Sequence, residues 1–170
     1  MPTTYQAIAT VTVGSGGAAN IVFTSIPQTF TDLVLKVSTR TLAAGTADAL
    51  GVYLNGVQTN RSRINLTGNG SSVASASSTY RDLGVSNGNG STANTFSNIE
   101  LYFPNYTSSN YKSISSDSVY ENNATAAEAS FYAGLWSVTT AITAITLDSA
   151  SAGVNFMQYS SATLYGIKNS

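Results

Sequence analysis

The chain has 170 residues, only 9% of them charged, and a net charge of −1 at pH 7. It contains no histidine and no cysteine, and its polar residues are mainly 25 Ser, 22 Thr and 15 Asn. These features exclude disulfides, thiolate metal sites and catalysis that needs a His base or a Cys nucleophile, and the lack of a basic stripe argues against nucleic-acid binding.

Period-two alternation of apolar and polar residues is the main pattern, and a helical period is almost absent. From the N-terminus, this alternation predicts strands over 5–13, 19–25 and 31–40. Residues 1–5 are expected to form an N-terminal arm. The third strand is the clearest, because Leu33, Leu35 and Val37 share one face, as in a half-buried strand of an antiparallel sheet.

The strongest local signal is the pair Asn55-Gly56, which lies between two runs of alternating apolar residues. Asn-Gly favours a two-residue type I′ turn, because both central residues of that turn need a positive φ. We therefore predict a β-hairpin here, with a second strand that continues through 61–66.

Two later segments are rich in Ser, Gly and Asn and show no periodicity, namely 68–78 and 86–94. We predict both as long surface loops on either side of a short strand at 80–85. Solvent-exposed connectors are the simpler interpretation, although loops of this length also carry function in some proteins.

The remaining predicted strands are 96–103, 112–121, 129–138, 141–147 and 162–167. The second of these is Ser-rich and is expected at an edge or outer position. The third is apolar on both faces, which is typical of a central strand or an interface. Phe131 and Leu135 lie on one of its faces, with Tyr132 and Trp136 on the other. The whole pattern predicts an all-β antiparallel sandwich of about nine to eleven short strands in a single domain, 1–170.

A pair of carboxylates, as in glycosidases, is the catalytic option that this composition leaves open. Glu100 and Glu128 fall on predicted strands that also carry aromatic residues, as a sugar cleft would need. The simpler interpretation is that both are solvated side chains that discourage edge-to-edge aggregation. Segment 86–94 has no carboxylate for calcium. We therefore predict no metal, no cofactor and no enzymatic activity.

Aromatic side chains supply the remaining candidate contact residues. Their flat, amphipathic rings stack on sugars and are frequent in subunit interfaces. The candidates for interface or glycan contact are Tyr5, Tyr102, Tyr106, Tyr111, Tyr132 and Trp136. For Trp136, packing in the core is the main alternative.

Two blocks of sequence resemble a known class of protein. One is the N-terminal stretch YQAIATVTV (5–13), followed by 23–27 and 30–33, and the other is the closing stretch ATLYGI (162–167). They resemble small structural virion proteins of tailed bacteriophages, in particular those of marine and cyanobacterial phages. The resemblance implies a β-sandwich, often a jelly roll, displayed on a capsid or tail. It also implies a homo-oligomer, commonly a trimer, with the major capsid protein or tail proteins as partners.

Two placements within that class compete. A capsid decoration, or cement, protein clamps neighbouring capsomers through non-covalent contacts, which fits a compact domain with few charges. A tail-fibre or receptor-binding module recognises a cell-surface glycan and usually carries an attachment region and a shaft, neither of which the sequence suggests. We therefore predict decoration first, glycan-dependent receptor binding second and a carboxylate glycosidase as a remote third.

The expected location follows from the ends and the apolar runs. The first six residues lack the basic and apolar regions of a signal peptide, and no apolar run approaches the ~20 residues of a membrane helix. We expect synthesis in the host cytoplasm, assembly into the virion, and no membrane or nucleic-acid partner. We expect oligomerisation through the Tyr132 and Trp136 side of 129–138, and capsid contacts through residues 1–5 or the two loops.

Overall fold

The computed structural model describes residues 4–121 and 127–168. Within these residues the chain forms twelve strands in two antiparallel sheets and no helix, which confirms the all-β sandwich with one strand more than the predicted range. In chain order the strands are β1 (Tyr5–Thr12), β2 (Asn20–Phe23), β3 (Asp32–Ser38), β4 (Ala47–Leu54), β5 (Arg61–Gly68), β6 (Val73–Ser78), β7 (Asp82–Asn87), β8 (Asn98–Phe103), β9 (Lys112–Glu121), β10 (Ala127–Trp136), β11 (Ile145–Ser149) and β12 (Ser161–Ile167). Of the expected N-terminal arm, residues 1–3 lie outside the described residues and Tyr5 already belongs to β1.

The order of the strands is that of a jelly roll with two additions. One sheet has the order β1-β12-β3-β8-β9-β10-β5-β6, and the other has the order β2-β11-β4-β7. The first four strands of the large sheet and the four of the small sheet form the two four-stranded layers of a jelly roll. The paired strands β5–β6 and β9–β10 lengthen the large sheet to eight strands. We call β1, β12, β3 and β8 the jelly-roll half of that sheet, and β9, β10, β5 and β6 the added half.

The main core lies between the jelly-roll half and the small sheet. Leu33 and Leu35 are fully buried there, as the alternation predicts, and so is Phe103 of β8. Val34 points to the opposite side of β3 but is also buried, because it lies between the cross-strand neighbours Tyr102 and Tyr165. Burial of these apolar side chains is the main source of stability for this part of the molecule.

The Asn55-Gly56 turn is confirmed, but it does not form the predicted hairpin. Asn55 and Gly56 have φ values of 52° and 70°, as a type I′ turn requires. The strand before the turn pairs with β11 and β7, whereas the strand after it pairs with β10 and β6. The turn therefore carries the chain from one sheet to the other. The Asn55 side chain fixes it by accepting backbone N–H bonds from Thr143 (2.8 Å) and Ala144 (3.0 Å).

The predicted surface loop over 68–78 is wrong. Asn69 Oδ1 accepts backbone N–H bonds from Ser71 (3.0 Å) and Ser72 (2.8 Å), which closes a tight turn. The chain then forms β6, which pairs with β5 without a register shift. The sequence of β6, VASASS, alternates only small residues, so it carries no apolar signal for a strand.

The segment 86–94 is also different from the prediction, because its first two residues end β7 and are buried. The rest is anchored by Arg40, whose side chain is buried. The guanidinium donates hydrogen bonds to four backbone carbonyl oxygens at 2.8–3.2 Å, those of Asn89, Ser91, Thr92 and Thr95. The loop is therefore held to the end of β3 rather than extending freely.

The prediction of an edge or outer position for the Ser-rich strand 112–121 is also wrong. It forms β9, which lies in the interior of the large sheet between β8 and β10. Its serines occupy both sides, and Ser116 and Ser118 are buried on the inner one. A Ser-rich sequence was a poor guide to position here, because the inner side of the added half carries buried serines as well as core residues such as Ile114 and Tyr120.

Candidate docking face

The outer side of the added half exposes a row of bulky apolar side chains. In the strand register, Phe131 lies opposite Leu66, and Ala133 lies opposite Ile64. The same side of the sheet carries the large apolar residues Ile64, Leu66, Val73, Val119, Phe131 and Leu135, which we call the apolar face. Their side chains are 37–72% exposed. Every second residue of a strand points the same way, and the register between the four strands brings these residues to a common side of the sheet.

The inner side of the same strands is mixed. It carries the core residues Ile114, Tyr120, Tyr132 and Trp136, but β5 and the serines of β9 and β10 make the rest of it polar. Thr67 of β5 and Ser130 of β10 share a hydrogen bond of 2.9 Å between their hydroxyl groups. Arg63 Nη2 bonds to Asp82 Oδ2 of β7 at 2.6 Å, with both side chains at most 12% exposed. This ion pair ties the added half to the small sheet. Beyond it, β6 is exposed on both sides, so the added half is a single layer at its free end.

Further polar contacts lie near the ion pair between Arg63 and Asp82. Arg81 makes a two-pronged ion pair with Asp148 at 3.1 and 3.2 Å, and this hydrogen bonding raises the pKa of Arg81. The guanidinium carbons of Arg81 and Arg61 lie 5.2 and 5.7 Å from the ring centre of Tyr53. Burial raises the pKa of Tyr53 and lowers the pKa of Arg61. The cluster stabilises the junction between the two sheets and was missed by sequence reasoning, since its members come from distant strands.

The apolar face is not flat. Two open depressions of about 560 and 810 Å³ lie on it and share a floor of small residues that includes Ala133 and Ser115. Phe131 borders the first depression and Leu135 the second. Bulky side chains thus stand beside shallow hollows on the same surface.

Few charges lie on this side of the added half. In its described parts they are Asp117, near the middle of β9, and Glu121, at the end of that strand, where it accepts bonds from Thr92. Asp117 lies opposite Glu100 of the neighbouring β8, and Glu100 pairs with Lys36 at 2.5 Å. Glu121 therefore lies at the strand end, whereas Asp117 also lies opposite Phe131 of β10, so that one carboxylate borders the apolar face beside Phe131.

One edge of the large sheet is unprotected. The edge strand β6 has six residues with no charge, no proline and no register shift, and such edges can pair with other chains. The other edges differ: β1 has a register shift between Ala7 and Ala9, β2 has only four residues, and β7 is buried. The free edge and the apolar face belong to the same half of the sheet.

Three of the predicted contact residues are buried. Tyr106, Tyr132 and Trp136 lie in the core, and the Tyr106 hydroxyl donates a hydrogen bond to the carbonyl of Pro27. The expected interface on the Tyr132 and Trp136 side of β10 is therefore wrong, and the core role of Trp136 is confirmed. The opposite side of that strand faces solvent, because register and not alternation decides which side meets the second sheet.

The other three predicted residues are accessible but are spread over the molecule. Tyr5 on β1 and Tyr111 before β9 are each more than half exposed. Tyr102 on β8 is half-buried and lines the depression that also contains Phe131. Its hydroxyl donates to Asp32 Oδ2 at 2.8 Å, and this bond together with burial raises the pKa of Tyr102.

The two carboxylates proposed for glycoside hydrolysis do not meet. Glu100 lies on the outer side of β8, whereas Glu128 lies on the inner side of β10 and accepts a 2.7 Å bond from Tyr120. Within residues 4–121 and 127–168, no group of three or more acidic side chains is placed to hold a metal ion. The same residues include no helix long and apolar enough to cross a membrane.

No protein-family model matches this chain, and no curated protein is similar enough in sequence to indicate a family. The apolar face, the depressions on it and the free edge beside it are therefore the features from which a function has to be inferred.

Proposed function

We propose that this protein is a non-enzymatic structural component of a tailed-phage particle, a capsid decoration protein that binds neighbouring protein subunits through non-covalent contacts. The observation that carries the proposal is the apolar face. Contiguous exposed apolar surface is uncommon on soluble monomers and marks sites of protein contact. On a chain with so few charges, such contacts rely on apolar burial and on hydrogen bonds from Ser and Thr.

The topology supports this proposal at the level of the fold. Jelly rolls occur in viral capsid domains, and also in lectins and cupins, so the fold is compatible with the role without specifying it. Two stretches of the sequence that resembles phage structural proteins, 5–13 and 162–167, contribute β1 and β12. These strands pair with each other at one edge of the jelly-roll half.

The physical mechanism is mass action. A protein that binds only the assembled shell stabilises that shell by the free energy of its own binding. Each contact with the shell can be weak, because capsid symmetry repeats it many times. A chain without disulfides has to hold the shape of this face by its own core, which the jelly-roll half and the small sheet provide.

The test is the copy number of this protein in purified phage particles, measured by quantitative mass spectrometry against the major capsid protein. A copy number close to that of the capsid subunit is expected for a decoration protein. A few copies per particle would overturn decoration in favour of a tail position, and absence from particles would overturn the virion role.

Carbohydrate recognition is a second candidate, and one observation favours it. The depression beside Phe131 also contains Tyr102, Asp117 and Glu100, which supplies aromatic surface for a sugar ring and carboxylates for its hydroxyl groups. Binding of host-surface polysaccharide, measured by calorimetry and lost in Phe131→Ala, would support a receptor-binding role. We favour protein contact, because most of the exposed side chains on this face cannot hydrogen-bond to a sugar.

A further inference from the structure

We infer that the apolar face is covered by a second copy of this chain, so that two added halves pack against each other face to face. The inference rests on the proposed structural role and names the partner of its main surface. Three properties of the face lead to this partner: its exposed apolar side chains, its area and its shape.

The exposed apolar side of the added half calls for another layer. A β-sheet with an apolar side has to bury that side against another element. The small sheet does not serve this purpose, because it lies on the inner side, where Arg63 meets Asp82. A second sheet on the outer side would bury the apolar face, with Phe131 and Leu66 in the centre of the contact.

The area of the face fits a partner of the size of another sheet. With 37–72% of each side chain exposed, the six residues of the apolar face present on the order of 500 Å² of apolar surface, which is near the upper end for the largest patch on a monomer. The small residues between them enlarge the face toward the ~800 Å² per partner of a standard protein interface. A sugar or a short peptide would leave much of this surface exposed.

The shape of the face is self-complementary. Phe131 stands two residues from Ala133, which forms the floor of both depressions. A two-fold axis between these two positions would place Phe131 of each copy over the hollow of the other. Face-to-face sheets pack about 10 Å apart with interdigitating side chains, and in a two-fold interface the same patch serves both partners.

The experiment is a mass measurement by light scattering on the purified full chain at about 100 µM, a concentration that saturates a contact with micromolar Kd. The expected mass is twice the 17.6 kDa of one chain. Phe131→Asp is expected to give the mass of a monomer, because each copy would bury a carboxylate in the hollow of the other. Ala133→Arg, which fills the shared floor, is expected to do the same.

The matched control is Val22→Asp. Val22 is 44% exposed on β2, on the outer side of the small sheet, so this variant adds the same charge away from the apolar face and is expected to remain a dimer. Circular dichroism on each variant verifies that it is folded. A monomeric wild type would overturn the inference, as would a dimer or a trimer whose mass is unchanged in both folded variants.

This experiment is independent of the particle experiment. A dimer that is absent from phage particles keeps the inference and overturns the proposed function. A monomer that is abundant in particles overturns the inference and keeps the proposed function. A monomeric wild type that binds polysaccharide through Phe131 would overturn the inference in favour of the carbohydrate candidate.

Discussion

In the jelly-roll half, Leu33 and Leu35 of β3 point at the small sheet, while Lys36 faces solvent. In the added half, Phe131 faces solvent, while its neighbour Ser130 points inward and is buried. Both halves show the same alternation along the strand. Alternation therefore identifies a strand, but only the layer that packs on the strand decides which of its sides is buried.

The two halves also differ in what holds them in place. The jelly-roll half is one side of a closed apolar core. The inner side of the added half adds Trp136 and a few other residues to that core, and depends in addition on hydroxyl hydrogen bonds and on the ion pair between Arg63 and Asp82. We therefore expect the jelly-roll half to carry most of the free energy of unfolding of a single chain.

The largest effect is expected for Phe103→Ala in the jelly-roll half. This side chain is fully buried, and its removal should lower the free energy of unfolding by about 4 kcal/mol through lost burial and a cavity. Phe131→Ala, at an exposed position, should change it by less than about 0.5 kcal/mol when the chain is monomeric. Urea unfolding at low protein concentration measures both, and equal losses would contradict the proposed difference between the halves.

A smaller loss is expected for Arg63→Met, which breaks the tie between the added half and the small sheet. The change leaves the buried Asp82 carboxylate without its partner, which should cost about 3 kcal/mol. The double variant Arg63→Met, Asp82→Leu should recover much of this loss, because no charge is left buried. Hydrogen exchange should show the lost protection in β5 and β10 first. A loss of protection in β3 of the same size would contradict the prediction.

Alkaline pH should act on the added half through its buried tyrosines. Burial and the hydrogen bond to Glu128 raise the pKa of Tyr120, and burial raises the pKa of Tyr132, from an ordinary value of 10.0. The folded chain keeps these protons above pH 10 while the unfolded chain loses them, so this stabilisation is complete below pH 10 and is lost as the pH rises further. The expected slope is about 1.4 kcal/mol per pH unit for each tyrosine.

Urea midpoints between pH 9 and 11 measure this effect. Tyr120→Phe should give a shallower fall, since the phenylalanine has no proton to lose. A fall that is equally steep in this variant would exclude Tyr120 as a source of the pH dependence.

The smallest effect is expected for Lys36→Gln on the outer side of the jelly-roll half. The ion pair with Glu100 is exposed, at 56% and 40% of the two side chains, and exposed pairs contribute less than about 1 kcal/mol. Hydrogen bonding to Glu100 raises the pKa of Lys36, but solvent screens this interaction. Thermal unfolding at low and high salt should differ little between the variant and the wild type, and a loss as large as that of Arg63→Met would be contrary to expectation.

Sequence reasoning predicted the fold class and most of the strands, because alternation and the Asn55-Gly56 turn are local signals. It missed β6, whose small residues give no contrast between its sides. It also misplaced β9, since a Ser-rich strand suggests an edge. It named Tyr132 and Trp136 for the interface, although Phe131 and Leu135 are the exposed pair on β10. That choice depends on strand pairing between distant segments, which a local pattern does not encode.

Arg40 has one further consequence, for how this protein can vary. All four hydrogen bonds from its guanidinium to the loop at 89–95 end on backbone carbonyl oxygens, and none on a side chain. Every amino acid supplies such an oxygen. The loop can therefore change most of its side chains and keep its anchor, so related proteins could diversify what this loop displays without rebuilding the strand that holds it.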